Sequence, residues 1–179
     1  EDTDVRTADE LLDIYLDAVG ANASLLLNIP PDTHGRIAAP DCASLAELGA
    51  KIRQIFASNV TEKAAITADS AIAQHPITQA VDGMADTYWQ AAYGQESDTI
   101  TLKFQKPQKV SCVVLGEHLP TGQRIESGEI WADGSKASEF TVVGHKRICR
   151  FTPVDVQTLT IKITASRTEP TLRLLEVYQ

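Results

Sequence analysis

The chain has 179 residues, 43% of them hydrophobic, and a net charge of −8 at neutral pH. That length suits one generous domain or a small domain plus part of another, and the acidic balance, with no basic run to track phosphates, argues against nucleic acid as a partner. The longest apolar stretches, around Leu25 to Ile29 and Val110 to Leu115, fall far short of the roughly 20 residues that cross a bilayer, so no membrane partner is expected.

The sequence opens on an acidic stretch at Glu1 with no charged-then-apolar secretion signal. Thr7 followed by Glu10 has the spacing of a capping box, and Leu11, Leu12, Tyr15, Ala18 and Val19 recur at helical spacing until Gly20. The run Leu25 to Ile29 is apolar without alternation, as in a parallel strand covered on both faces, and Pro30-Pro31 ends it. Ser44 with Glu47 has the spacing of a second capping box, followed by the apolar stripe Leu45, Leu48, Ile52, Ile55 and Phe56. A lone helix–strand–helix leaves its strand without parallel neighbours, so this piece reads as the closing unit of an α/β barrel whose remaining strands lie elsewhere.

After Ser58 the rhythm changes. Residues 100–104, 159–163 and, less cleanly, 140–143 alternate apolar and polar, while Asp82-Gly83 and Asp133-Gly134 are turn dipeptides. With the segments at Ala64, Val110, Ile125, Ile148 and Leu172 this gives about eight half-buried antiparallel strands, the pattern of a β-sandwich. The boundary falls in the polar bridge 58–62, dividing the chain into 1–58 and 59–179. Cys42, Cys112 and Cys149 are far apart and lack metal-site spacing; three buried thiols are expected.

The run from Thr7 to Gly20, then Asn22 to Asp32 with its Leu-Leu-Leu-Asn-Ile-Pro-Pro-Asp core, then His34-Gly-Arg-Ile and Leu45-Ala-Glu-Leu-Gly resemble the end of the α-L-fucosidase catalytic barrel. Ala80-Val-Asp-Gly-Met-Ala-Asp-Thr-Tyr-Trp, residues 99–102, Leu115 to Ile125, Val143 to Ile148 and Leu175-Glu-Val-Tyr resemble the discoidin-like domain, also called the coagulation factor V/VIII C-type or galactose-binding-like domain. The resemblance implies a mostly β chain: a discoidin-like β-sandwich (jelly roll) preceded by a helix–strand–helix remnant of a (β/α)8 barrel. It also implies the C-terminal region of a retaining α-L-fucosidase acting on terminal α-L-fucose of glycans. The alternative is a stand-alone carbohydrate-binding or adhesion module.

Retaining hydrolysis needs two carboxyl groups about 5 Å apart, and by the resemblance both lie on barrel segments absent here. This chain is therefore expected to carry no catalytic residue and to hydrolyse nothing by itself. Barrel enzymes build the active site at the C-terminal strand ends, which leaves Asn28, Pro30, Asp32 and His34 as pocket-wall candidates; the plainer reading is that Asn28 and Asp32 satisfy backbone groups and His34 is solvated. In the sandwich, the resemblance implies a calcium site from the side chains of Asp82, Thr87 and Glu176 with carbonyls of Gln79, Met84 and Leu175, oxygen donors that suit a hard cation. The competing reading is a turn braced by Asp–backbone hydrogen bonds, with Asp86 as a brace.

For sugar, the polar and aromatic candidates are Tyr88, Tyr93, His118 and Arg124, with His75 of similar chemistry. Glu117 and Arg124 have the alternative of an internal ion pair at the interface with the barrel piece. Trp89 reads as core, whereas the sequence leaves the face of Trp131 open. Asn22-Ala-Ser and Asn59-Val-Thr are glycosylation sequons by spelling. Expected partners are fucose- or galactose-containing glycans, the remainder of the barrel and a second copy through residues 25–29, whose apolar edge invites pairing. By family habit the expected location is periplasmic or extracellular.

Overall fold

The computed structural model describes residues 5–179; the acidic stretch at Glu1 to Asp4 lies outside them. Helix α1 spans Ala8–Val19 and α2 spans Ala39–Ile55. Eight strands follow: β1 (Ala64–Ala68), β2 (Trp89–Gln90), β3 (Asp98–Gly116), β4 (Ile125–Ala132), β5 (Ser135–Phe140), β6 (Arg147–Ser166), β7 (Thr171–Leu172) and β8 (Leu174–Tyr178). The main sheet runs β1-β3-β6-β4-β5 with β8 also paired to β3, and β2 pairs with β7 in a small second sheet; every pairing is antiparallel. No helix among these residues is long and apolar enough to cross a membrane.

The count of eight strands agrees with the sequence, but their make-up differs. Residues 100–104 and 110–115 lie on one strand, β3, and residues 148 and 159 on another, β6. Register shifts explain how one strand serves two parts of the core. Ile100, Leu102, Phe104 and Val110 are buried at even positions, while Val113 and Leu115 are buried at odd ones, and the change falls at the irregularity between Val110 and Cys112. An extra residue in a ladder reverses the faces beyond it and bends the strand. The core enclosed in this way includes Trp89, Ile130, Ile161, Leu172 and Val177, each completely buried.

The Thr7 capping box forms: Glu10 N donates to Thr7 Oγ1 at 3.3 Å and Thr7 N donates to Glu10 Oε2 at 2.8 Å. The second one does not. Helix α2 starts about a turn earlier, at Ala39 with Pro40 in its first turn, where the fixed φ of proline is already helical and its missing N–H costs nothing. Ser44 lies within the helix and donates instead to the carbonyl of Arg6 at 2.6 Å. The expected strand at Leu25 to Ile29 is also absent. These residues are irregular, with Leu27 packed between the helices and Leu26 88% exposed, because a ladder needs a neighbour and the described residues offer none there. Of the three cysteines, Cys112 and Cys149 are buried and Cys42 is exposed, since it lies on the outer side of α2.

Two clasps fasten the helical piece to the sandwich. In the first, Ile148 N donates to Gly20 O at 2.9 Å, His145 N donates to Asn22 Oδ1 at 2.6 Å, and Asn22 Nδ2 donates to Gln123 Oε1 at 3.4 Å. In the second, Val60 N donates to Val177 O, Gln179 N donates to Ser58 O, and Val177 N donates to Thr61 Oγ1. Phe56 meets Tyr178 edge-on with ring centroids 5.2 Å apart, a favoured aromatic geometry. Residues 58–61 are thus hydrogen-bonded along the C-terminal strand.

Candidate functional site

The loops between β1 and β2 and between β3 and β4 meet through aromatic rings. Tyr88 is stacked between two imidazoles, His75 and His118, each with a centroid 3.9 Å away and planes tilted by 19° and 10°. Both faces of Tyr88 are therefore covered, so its hydroxyl and edge are what it presents. His118 is held below its ordinary pKa, first by burial and then by the neighbouring positive charge of His75, with Arg124 and Arg173 in the same sense and Asp86 opposing. Its Nδ1 is buried without a hydrogen-bond partner.

Glu117 organises this loop. It is wholly buried, and its carboxylate accepts main-chain N–H groups from Arg124 at 2.6 Å, Ile125 at 2.9 Å and Gly144 at 2.6 Å. Three such donors stabilise a buried carboxylate as an ion pair would. The ion pair with Arg124 does not form. The Arg124 guanidinium donates instead to carbonyl oxygens, to Glu169 at 2.8 Å and Thr121 at 3.3 Å. The donor to Glu117 is the main chain of Arg124, a contact that side-chain chemistry read from sequence does not reveal.

Tyr93 is 76% exposed and stacks on none of the described rings. Its loop is anchored one residue later, where Gly94 N donates to Glu169 Oε1 at 2.8 Å. That bond, with the Thr168 hydroxyl, holds the Glu169 carboxyl down to about 2. Glu169 thereby links two sugar candidates, accepting from Arg124 through its carbonyl and from the Tyr93 loop through its carboxylate. Of the four sugar candidates, His118 and Tyr88 touch directly, Arg124 closes the same loop, and Tyr93 stands on the adjoining one. Reading the sequence missed Glu169, Arg173 and the Asn22 clasp; the only cue was the sequon at Asn22, whose side chain is committed to that clasp.

The expected metal ligands divide. Asp82 Oδ1 accepts from Met84 N at 2.9 Å, and the Thr87 hydroxyl donates to both Asp82 oxygens, at 2.9 and 2.8 Å. The Met84 carbonyl is 3.4 Å from Thr87 Oγ1. Asp82, Met84 and Thr87 therefore bring oxygens together at one turn, a donor set that fits a hard cation. The other half lies apart from them in its contacts: Gln79 bonds His75 and Gln74, the Leu175 side chain is in the core, and the Glu176 carboxylate accepts from Tyr178 Oη at 2.9 Å. Among the described residues no three His, Cys, Asp or Glu side chains gather as metal ligands do.

In the helical piece, Asp32 Oδ1 accepts main-chain N–H groups from His34 and Arg36 at 2.8 and 2.9 Å, which holds its carboxyl below the usual range. Asp32 braces its turn, and His34 is exposed beside it. A cavity of about 190 Å³, lined by Asn28, Pro30, Arg6 and Leu45 among others, opens between these residues and the two helices. Trp89 is fully buried, its indole N–H donating to Ser70 O at 3.0 Å. Trp131 lies half-buried on the outer face of β4, donating to Glu129 and covered on one side by Lys162 Nζ at 4.0 Å.

Comparison with known proteins gives a consistent picture. Residues 65–174 match the model of the F5/8 type C domain. The chain is 30% identical to Alpha-L-fucosidase 1 of Arabidopsis thaliana over 97% of its own length and 36% of that protein. It superposes on the crystal structure of a putative alpha-L-fucosidase from Bacteroides thetaiotaomicron with a TM-score of 0.93 and 28% identity, covering 100% of this chain and 41% of that one. For a Ruminococcus gnavus fucosidase solved in complex with fucose the TM-score is 0.88 at 27% identity, over 97% of this chain and 37% of the other. The chain thus spans about a third of the length of the curated relatives it matches.

Proposed function

This chain belongs to the F5/8 type C domain family, and we propose from that premise that it is the C-terminal region of an α-L-fucosidase, its sandwich a glycan-binding accessory fixed to the barrel. What carries this reading is the pair of clasps: residues 20–22 bond residues 145–148 and 123, and Phe56 and Ser58 meet the last strand at Tyr178 and Gln179. A module that merely trailed on a linker would need neither. The similarity to fucosidases over 97% of the chain, helical piece included, supports the same division into 1–58, the end of a barrel, and 59–179, the sandwich. Under this reading the complete protein hydrolyses an aryl α-L-fucoside with retention and this chain alone does not; inversion, or activity of the isolated chain, overturns it.

The sandwich in this proposal binds fucose- or galactose-containing glycans through Tyr93, His118 and Arg124 with the edge of Tyr88. Calorimetric titration of the chain with fucose, galactose and fucosylated oligosaccharides tests this, saturable heat being the expected outcome. We further propose that Asp82, Thr87 and the Met84 carbonyl hold a structural calcium ion, with Gln79, Leu175 and Glu176 completing the set after Glu176 leaves Tyr178. A melting temperature that rises with calcium and falls with chelator is expected; no response to either leaves the turn braced by hydrogen bonds alone. The exposed Leu26 and the unpaired segment 25–29 support self-association of the isolated chain, which Leu26→Lys is expected to abolish in light scattering. Periplasmic or extracellular residence is part of the same proposal, since glycans of this kind are met there.

A further inference from the structure

Around the loop at 117–124, positive side chains are left without carboxylate partners, while the carboxylates nearby are already satisfied. Arg124 uses Nε, Nη1 and Nη2 only toward the carbonyls of Thr121 and Glu169. Arg173 donates through Nη2 to the His145 carbonyl at 3.3 Å, and its guanidinium lies against Gly116, at the root of the same loop. Neither arginine forms an ion pair among the described residues, in contrast to Arg36 with Asp32 and Arg167 with Glu126. Glu117 is saturated by three main-chain N–H groups, and Glu169 is committed to Gly94 N and the Thr168 hydroxyl. Asp86 is the exposed carboxylate whose charge acts on His118. In a chain of net charge −8, two guanidinium groups without carboxylate partners thus lie beside the ring stack of His75, Tyr88 and His118.

Guanidinium groups left with free N–H donors are suited to planar or trigonal anions, which they bind by paired, charge-assisted hydrogen bonds. The ring column of His75, Tyr88 and His118 supplies the apolar flank and hydroxyl-seeking edges that a pyranose needs. Resting on the glycan-binding reading above, we propose that this loop cluster recognises an anionic sugar, its sulfate or carboxylate held by Arg124 and Arg173 and its ring laid along the His75–Tyr88–His118 column. A neutral sugar would leave both guanidinium groups facing only water and carbonyls, so the charge on the ligand decides the affinity.

Titration of this chain with galactose, galacturonic acid and galactose 6-sulfate, at low and at high salt, tests the proposal. Tighter binding of either acidic sugar than of galactose, on the order of tenfold or more and weakened by salt, is the expected result, and the stronger of the two identifies carboxylate or sulfate as the group read. Arg173→Gln and Arg124→Gln should each abolish the preference for charge while retaining the wild-type melting temperature to within a few degrees. Arg36→Gln, which removes a surface ion pair with Asp32 in the helical piece, should leave it intact. If one of the first two variants fails to fold, the other carries the comparison. Equal affinity for neutral and acidic sugars overturns this inference and leaves the glycan-binding reading standing; silence with all three sugars overturns both.

Discussion

Two apolar runs of similar length, residues 25–29 and 110–115, meet different fates. The second lies within β3, paired with β6 on both sides of the irregularity at Ser111 and from Cys112 onward also with β8, and Val110, Val113 and Leu115 are at most 1% exposed. The first has no strand partner among the described residues, and Leu26 is 88% exposed. The difference is one of company: each buried main-chain N–H and C=O must find a partner, and apolarity alone supplies none. The sandwich carries its partners within the chain, whereas residues 25–29 find no strand to pair with among the described residues.

The comparison breaks most severely if the sandwich core is opened. Trp89→Ala removes the largest fully buried side chain and leaves Ser70 O without its donor, so a loss of about 3–5 kcal/mol is expected. Chemical denaturation should show it as a lowered midpoint with the helices unfolding in the same transition, because the second clasp ties α2 to β8 through Phe56 and Tyr178. If helix signal survives after the sheet has melted, the helical piece has a stability of its own and does not depend on the sandwich.

Phe56→Ala addresses that joint directly. Phe56 is half-buried, so truncation should cost about 1–2 kcal/mol, below the value for a fully buried ring. The expected outcome is earlier loss of helical circular dichroism with little change in the unfolding midpoint reported by Trp89 fluorescence. Gly144→Ala strikes the first clasp: Gly144 has φ of 59° and a methyl group there would run into the side chain of Asn22. A loss of roughly 1–2 kcal/mol is expected, from the left-handed backbone and the displaced Asn22 together, read as faster hydrogen exchange at His145 and Ile148.

What the sequence made legible follows the same division. Alternation located the strands of the sandwich because each is half-buried within one chain, and Asp133-Gly134 marked the β4–β5 hairpin because both residues need positive φ, observed at 45° and 83°. The long strands were harder, since a bulge reverses facing without any distinctive residue at Val110 to Cys112. The Ser44-Leu-Ala-Glu spacing misled for a physical reason: Ser44 and Glu47 have cap chemistry, but Pro40 had already started the helix. At the candidate site, residue types pointed to His118 and Arg124, and their arrangement through Glu117 and Glu169 did not show, because those carboxylates bind main-chain N–H groups that no side-chain pattern encodes.

Thr7→Ala tests a feature confined to the helical piece. Loss of the capping box should cost about 1 kcal/mol of helix stability, seen as fraying of α1 in hydrogen exchange, with the sandwich unaltered if the two regions respond separately to local damage.

The smallest effect expected is one of pH, at the loop that carries Tyr93. Glu169 is held at about 2, below the ordinary glutamate value of 4.5, chiefly by the Gly94 N–H and then by the Thr168 hydroxyl. A depressed carboxyl contributes stability that is fully present above its unfolded pKa and is lost as pH falls through the folded value. The 92–95 loop should therefore stay anchored on acidification through pH 4.5 and release only toward pH 2. Because Glu169 is near the surface, its contribution to global stability is small, and the Gly94 amide resonance is the sensitive probe. A midpoint near 2 for that resonance preserves the link between the Tyr93 loop and Arg124; a midpoint near 4.5 means that the carboxylate is hydrated in solution and that Tyr93 moves independently of the 117–124 loop.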